Sequence, residues 1–129
     1  MLKSGILNPR VLELLARVRH TNTLVIADRG FPFWPQMETV DLSLVDDVPT
    51  VLQVLSAVRG SCSFRSAWMA KEFLRANDKR TQASFVAALK GASVKFEPHV
   101  ELKKRVPNAI GLIRTGDTTQ YGNIILESA

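Results

Sequence analysis

The sequence predicts an α/β protein: a three-layer α/β/α arrangement around a mainly parallel sheet, in a single domain over residues 1–129. Three observations carry that prediction. Apolar β-branched runs alternate along the chain with segments of helical period, the pattern of a layered sheet. The first such run, Thr23 to Ala27, ends in Asp28 beside a Gly/Pro turn, which is how open α/β sheets present polar groups at their carboxyl edge. No internal repeat, low-complexity tract or linker divides the chain.

In order, Asn8-Pro9 opens a helix, since Asn caps free amides and Pro fits the first helical position. Val11, Leu12, Leu14, Leu15 and Val18 then form an apolar stripe to about Arg19, and His20 stands where the helix ends. The strand from Thr23 to Ala27 follows, and then a turn from Asp28 to Pro35 stiffened by prolines and Trp34. Alternation from Met37 to Leu44 predicts a second strand. Pro49-Thr50, behind Asp46-Asp47, marks another helix start. The β-branched content of Val51 to Val58 leaves helix and helix–strand mixture both open.

After the break at Gly60-Ser61-Cys62-Ser63, the spacing of Phe64, Ala67, Trp68 and Phe73 predicts a helix to about Ala76. Thr81 to Lys90 predicts a further helix ended by Gly91. Ser93 to Glu97 reads as a strand stopped by Pro98, and His99 to Arg105 as a short polar helix. Two last strands, Asn108 to Thr115 and Tyr121 to Glu127, flank Gly116-Asp117 in the manner of a hairpin.

With 46% hydrophobic and 22% charged residues, the chain has the makings of a globular core. The net charge of +5 is spread along the sequence, which fits a solvated surface better than a nucleic-acid footprint. A single cysteine, Cys62, permits no intramolecular disulfide and no cysteine metal cluster. The first residues lack the long apolar core of a secretory signal, and no stretch approaches the roughly 18 apolar residues of a membrane helix. The expectation is a soluble cytoplasmic protein without a membrane partner.

Few residues carry chemistry. His20 can both give and take a proton at neutral pH, as carbonyl chemistry requires; alternatively it meets the terminal carbonyls of the helix it follows. Asp28 can hold a hydroxyl or form an Asx-turn with Gly30 and Pro32. Taken alone, His99 reads as a surface histidine. Tyr121-Gly122-Asn123 offers a phenol, a close backbone approach and an amide, or simply a turn. Phe33 and Trp34 form either an apolar platform for a sugar ring or ordinary packing, and Arg114 points outward or pairs with an acid. His20 precedes the first strand and Asp28 follows it, so the two belong to opposite sheet edges unless assembly or a folded-back loop joins them. There is no P-loop, dinucleotide fingerprint or nucleophile elbow, and the histidines lack metal-ligand spacing.

In their order, these pieces resemble the D-ribose pyranase and L-fucose mutarotase family over nearly the whole chain. The likeness runs through Lys3-x-Gly5-x-Leu7-Asn8, His20-Thr21-Asn22-Thr23-Leu24-Val25 and Asp28-x-Gly30-x-Pro32. It continues through Asp41, Val48-Pro49, Gln53-Val54-Leu55 and His99-x-x-Leu102-Lys103. It ends with Ile113-Arg114-Thr115-Gly116-Asp117 and Tyr121-Gly122-Asn123-Ile124-Ile125-Leu126. The resemblance implies a cofactor-free isomerase that interconverts cyclic forms of a reducing monosaccharide, with His20 as proton donor. Asp28, His99, Tyr121, Gly122 and Asn123 match the sugar-binding positions, and no metal is implied. It also implies a homo-oligomer of rings stacked into a decamer, with sites near subunit contacts.

The N-terminal half and His99 are similar to the ribose branch, and Gly122 to the fucose branch. Arg29 and the Phe31–Pro35 loop depart from the ribose pattern; Arg29 can pair with Asp28 or meet an acidic sugar. Three functions compete: a sugar pyranase or mutarotase, a non-catalytic monosaccharide-binding or regulatory subunit of sugar uptake, and nucleic-acid binding. The first accounts for the acid, both histidines and the Tyr-Gly-Asn segment together.

Overall fold

The computed structural model describes residues 1–129. Its elements are helix α1 (Pro9–Arg17), strands β1 (Thr23–Ala27) and β2 (Thr39–Asp41), helix α2 (Val51–Arg59) and strand β3 (Phe64–Ala70). Helices α3 (Glu72–Ala76) and α4 (Lys79–Ala88), strand β4 (Ser93–Glu97), helix α5 (His99–Arg105), and strands β5 (Gly111–Arg114) and β6 (Ile124–Ser128) complete it. The helix starts obey local chemistry. Asn8 Oδ1 accepts from the amides of Arg10 and Val11, and Thr50 and Gln53 form a reciprocal capping box on α2, which makes Val51–Arg59 wholly helical.

The six strands lie in the order β2-β5-β1-β6-β3-β4. Pairing is parallel except on the two sides of β6, so β6 alone runs against the other strands and the sheet is mainly parallel. On one face Leu24 and Ile26 of β1 meet α1, α2 and α4 through Leu14, Leu55, Phe85 and Leu89. On the other, Val25 and Ala27 pack with Leu112 and Ile125 under Leu102 of α5, Val106 and Phe31. Burial on both faces explains why β1 is a continuous apolar run rather than an alternating one. The layers are therefore α/β/α, with the thinner cover on the α5 side.

Three local expectations change. The predicted helix from Phe64 to Ala76 is the seven-residue strand β3 followed by the short helix α3. Ala67, Trp68, Met69 and Ala70 are all buried, and their ladders to β6 and β4 outweigh a spacing that looks helical. The predicted hairpin between the last two strands does not form, because β1 lies between β5 and β6 and pairs with both. The second predicted strand is also shorter, Thr39–Asp41 only.

The reversed direction of β6 matters for the site. Its first residues lie at the sheet edge where the parallel strands β1, β4 and β5 end. Three segments distant in sequence thus open at one edge: Asp28 after β1, His99 after β4, and Tyr121–Asn123 before β6.

Candidate active site

Asp28 leaves β1 with its backbone N–H donating to Asn123 Oδ1 at 2.8 Å. Because a backbone N–H can only donate, Asn123 must present its oxygen there, while its side chain also hydrogen-bonds the Asp28 carboxyl. Asn123 is 2% exposed, so this is a buried, oriented amide rather than a surface one. Asp28 Oδ1 accepts from the Gly30 amide at 3.0 Å, the expected Asx-type contact. Burial pushes the Asp28 carboxyl above its ordinary value, against the Gly30 amide and the Asn123 side chain, which pull it down.

His99 begins α5, and its backbone N–H donates to both oxygens of Glu72, at 3.0 and 3.2 Å. Its ring stands edge-on to Tyr121, with centroids 5.1 Å apart, and to Phe31 at 6.1 Å. Burial first, then Lys103, holds the imidazole below its ordinary pKa, while Glu72 and Asp28 act in the opposite direction. The ring is half-buried, which corrects the expectation of a surface histidine. Tyr121 takes φ +55, and the Gly122 amide donates to Thr119 O at 3.2 Å. A side chain at Gly122 would crowd that same oxygen at 3.2 Å.

Asp28, Gly30, Phe31, Pro32, His99, Gln120, Tyr121 and Asn123 surround a cleft of about 300 Å³. Gly122 lies between two of them. A second, shallower groove of about 560 Å³ adjoins it across Pro32, between Phe33 and Trp34 on one side and Lys103, Lys104 and Pro107 on the other. The smaller cleft gathers a carboxylate, an imidazole, a phenol and two amides, the donor and acceptor set that polyhydroxylated ligands need. No three residues among His, Cys, Asp and Glu converge as a metal-binding group. No helix is long and apolar enough to cross a membrane.

The walls are held by residues whose roles the sequence did not reveal. Arg114 donates to the carbonyl oxygens of Phe31 (2.7 Å), Arg29 (3.2 Å) and Pro32 (3.3 Å), and lies 3.8 Å from Asp41. It does pair with an acid, but mainly it ties down the loop after β1. Arg29 turns away from Asp28 to Asp46 at 2.6 Å. Thr115 Oγ1 donates to Ala27 O at 2.8 Å, and buried Asp117 accepts from the amides of Val51 (2.8 Å) and Thr119 (2.7 Å). Asn77 Nδ2 donates to Gln120 O at 2.9 Å. For Arg114, Thr115 and Asp117 the signal was the polar end of the predicted strand and the Gly116-Asp117 turn after it, which reads from sequence as a hairpin.

His20 is not in this cleft. It is exposed in the turn Arg19–Asn22, where Thr21 takes φ +67, and the turn is tied to the far end of β6 by Thr21 N–H to Ser128 O at 3.3 Å. The five residues of β1, at about 3.3 Å each, put roughly 17 Å of strand between the His20 and Asp28 ends. The helix-end role falls instead to Arg19, whose guanidinium donates to Ala16 O (2.5 Å) and Val18 O (3.0 Å).

The raised Asp28 pKa has a consequence for stability. Between the unfolded value near 3.8 and the raised folded value, the folded chain binds the proton more tightly, so folding weakens as pH rises through that window. Asp28→Asn removes this ionisation penalty and keeps an oxygen for Gly30. Its melting temperature is expected to exceed that of the wild type at pH 7, with the gap closing on acidification; a lower value at both pH extremes refutes the burial account.

Comparison with known proteins shows likeness over the entire chain. The D-ribose pyranase of Geobacillus kaustophilus is 41% identical over 128 residues, covering 99% of this chain and 93% of that protein. The D-ribose pyranase of Limosilactobacillus fermentum is 35% identical over 128 residues, covering 99% and 97%. Among solved structures, Bacillus subtilis RbsD complexed with D-ribose superposes with a TM-score of 0.93 at 29% identity, covering 100% of this chain and 98% of that one. The fucose mutarotase from Streptococcus pneumoniae, in complex with L-fucose, shares the fold with a TM-score of 0.83 at 18% identity, covering 99% and 98%. A family model matches residues 1–129, and the chain belongs to the RbsD / FucU transport protein family.

Proposed function

We propose that this protein interconverts the cyclic forms of a reducing monosaccharide, a ribose-like sugar first, by cofactor-independent acid/base ring opening in the cytoplasm. The observation that carries the proposal is the cleft where Asp28, His99, Tyr121 and Asn123 converge, in a chain similar throughout its length to D-ribose pyranases. Asp28, His99, Tyr121, Gly122 and Asn123 bind the sugar. His20 protonates the ring oxygen as the bond to the anomeric carbon breaks, and reclosure through another hydroxyl changes the ring form. Ring opening is intrinsically accessible, so the protein need supply only a modest reduction in barrier.

The separation of His20 from the cleft favours assembly: a second copy brings its His20 to the cleft of the first. A closed ring repeats that contact at every interface, and the proposed assembly is a homo-oligomer of rings, a decamer when two rings stack. Each chain acts as one domain over residues 1–129. The same separation favours the second reading, a binding-only subunit whose cleft holds sugar without a proton donor.

Magnetisation-transfer NMR on D-ribose and L-fucose, with wild type beside His20→Ala, decides between them. Accelerated pyranose–furanose or anomer exchange that disappears in His20→Ala is the expected result, and the accelerated sugar identifies the substrate. Thermal stabilisation by ribose without any acceleration supports the binding-only reading instead.

A further inference from the structure

We propose that Asp28 is the general base of the ring opening, not only a hydroxyl-binding residue. This rests on the enzymatic reading above. The geometry divides the two carboxylate oxygens between different tasks. Oδ1 is fixed by the Gly30 amide at 3.0 Å and the Asn123 side chain also reaches the carboxyl, whereas no regular hydrogen bond falls on Oδ2, and Asp28 lines the cleft. Such a carboxylate is oriented at one end and available at the other.

Its electrostatic surroundings keep it basic. A carboxylate meant only to hold structure is commonly paired with a cation, and both nearby arginines are committed elsewhere. Arg29 pairs with Asp46, and Arg114 is bound to backbone carbonyls and faces Asp41. Asp117, packed behind the loop, is a like charge, and His99 across the cleft is held towards its neutral form by burial and Lys103. The other cleft groups near it, Tyr121 and Asn123, are a phenol and an amide. An unpaired, half-buried carboxylate beside a neutral imidazole is more basic than an exposed one, and it reaches its partner without desolvation at the moment of transfer.

The step balances without a cofactor. Asp28 Oδ2 takes the proton of the anomeric hydroxyl, and that O–H electron pair becomes the second bond of the aldehyde carbonyl. The bond from the anomeric carbon to the ring oxygen breaks, and the ring oxygen takes a proton from a neighbouring copy's His20. In reclosure a different hydroxyl attacks the carbonyl carbon and gives its proton to the now neutral His20. The carbonyl oxygen recovers a proton from the Asp28 carboxyl, so both groups return to their starting states.

The test separates base from binder. Ring-exchange kinetics on D-ribose across pH, and ribose affinity by calorimetry, are measured on full-length wild type, Asp28→Asn and Asp28→Ala. Asn keeps the acceptor for Gly30 and a polar group for the sugar but cannot take a proton. The expected result is a kcat lower by about 10²–10⁴ with affinity changed by less than about 5-fold. The acid limb of the wild-type profile, lying above the ordinary carboxylate value because Asp28 must be ionised, disappears in Asp28→Asn. Added formate restores exchange in Asp28→Ala by supplying the missing carboxylate.

Retention of kcat in Asp28→Asn, or a loss confined to affinity, overturns the proposal and leaves Asp28 a binding residue. A wild type that binds ribose without accelerating exchange overturns the enzymatic reading itself, and the base with it.

Discussion

Chains carrying His20→Ala and chains carrying Asp28→Ala, each inactive alone, are expected to regain exchange activity when co-expressed and co-assembled. Each variant lacks one half of the proposed site: the first keeps an intact cleft, and the second keeps an intact His20. With random mixing in equal amounts, a productive site needs His20 from one kind of chain and the cleft from the other, which holds for about a quarter of the interfaces of a ring. The gain is large against the background, because loss of a positioned proton donor lowers the rate by about 10²–10⁴. Activity of about a quarter of the wild-type value, measured by magnetisation transfer on the co-purified mixture, is the expected outcome. Activity no greater than the sum of the two separate variants means that each site uses residues of one chain only, and the assembly reading fails. The prediction follows from the fold: a strand roughly 17 Å long separates the His20 turn from the Asp28 loop, and both ends are tied by backbone hydrogen bonds that leave little room for folding back.

What the sequence made legible is what local chemistry encodes. The apolar run of β1, the Asn8 cap, the helix start at Pro49-Thr50, and the Gly30 contact of Asp28 depend on residues within a few positions of one another. They were readable for that reason. The convergence of His99 with Tyr121 was not readable from spacing, since it depends on the place of β6 in the sheet as well as its direction. The predicted hairpin would give β6 that direction too; only its place between β1 and β3 sets Tyr121–Asn123 beside Asp28 and near His99. A turn-rich stretch such as Gly116 to Gly122 looks the same in sequence whether it joins paired strands or crosses over a third. The loop-tying role of Arg114, beyond its pairing with Asp41, and the role of Asp117 were not legible either. Their partners, the carbonyl oxygens of Phe31 and Pro32 and the amide of Val51, are backbone atoms, and no residue type announces them. In β3, Ala67 and Ala70 lack strand propensity and the spacing of Phe64, Ala67, Trp68 and Phe73 looks helical, yet burial between β6 and β4 decides their state.

Gly116→Ala tests that crossing directly, and it is expected to cost more stability than any other glycine substitution in the chain. A Cβ at this position would lie 2.3 Å from Val45 O and 2.9 Å from Val48 O. Both are backbone atoms of a turn that is itself closed, with Val48 N–H donating to Val45 O at 3.0 Å. Gly116 is locked to the same turn from both sides: its N–H donates to Pro49 O at 2.9 Å, and its carbonyl accepts from Asp47 N–H at 2.7 Å. Nothing flexible is available to yield. At Gly111 the shortest clash, 2.6 Å to Leu14 Cδ1, falls on the end of a side chain rather than on backbone, and at Gly30 the nearest atom is 3.7 Å away. Relief at Gly116 requires moving the turn or the strand end, at a cost of about 2–4 kcal/mol. For a chain of this size that lowers the melting temperature by roughly 10 °C at matched protein concentration. The displacement also reaches the cleft, because Asp117 is next in the chain and holds the amides of Val51 and Thr119. Ribose affinity is therefore expected to fall together with stability in Gly116→Ala, whereas Gly30→Ala melts close to wild type. A Gly116→Ala protein that melts within about 2 °C of wild type and binds ribose normally refutes the view that the turn before α2 and the loop before β6 are packed as one rigid unit beneath the sugar cleft.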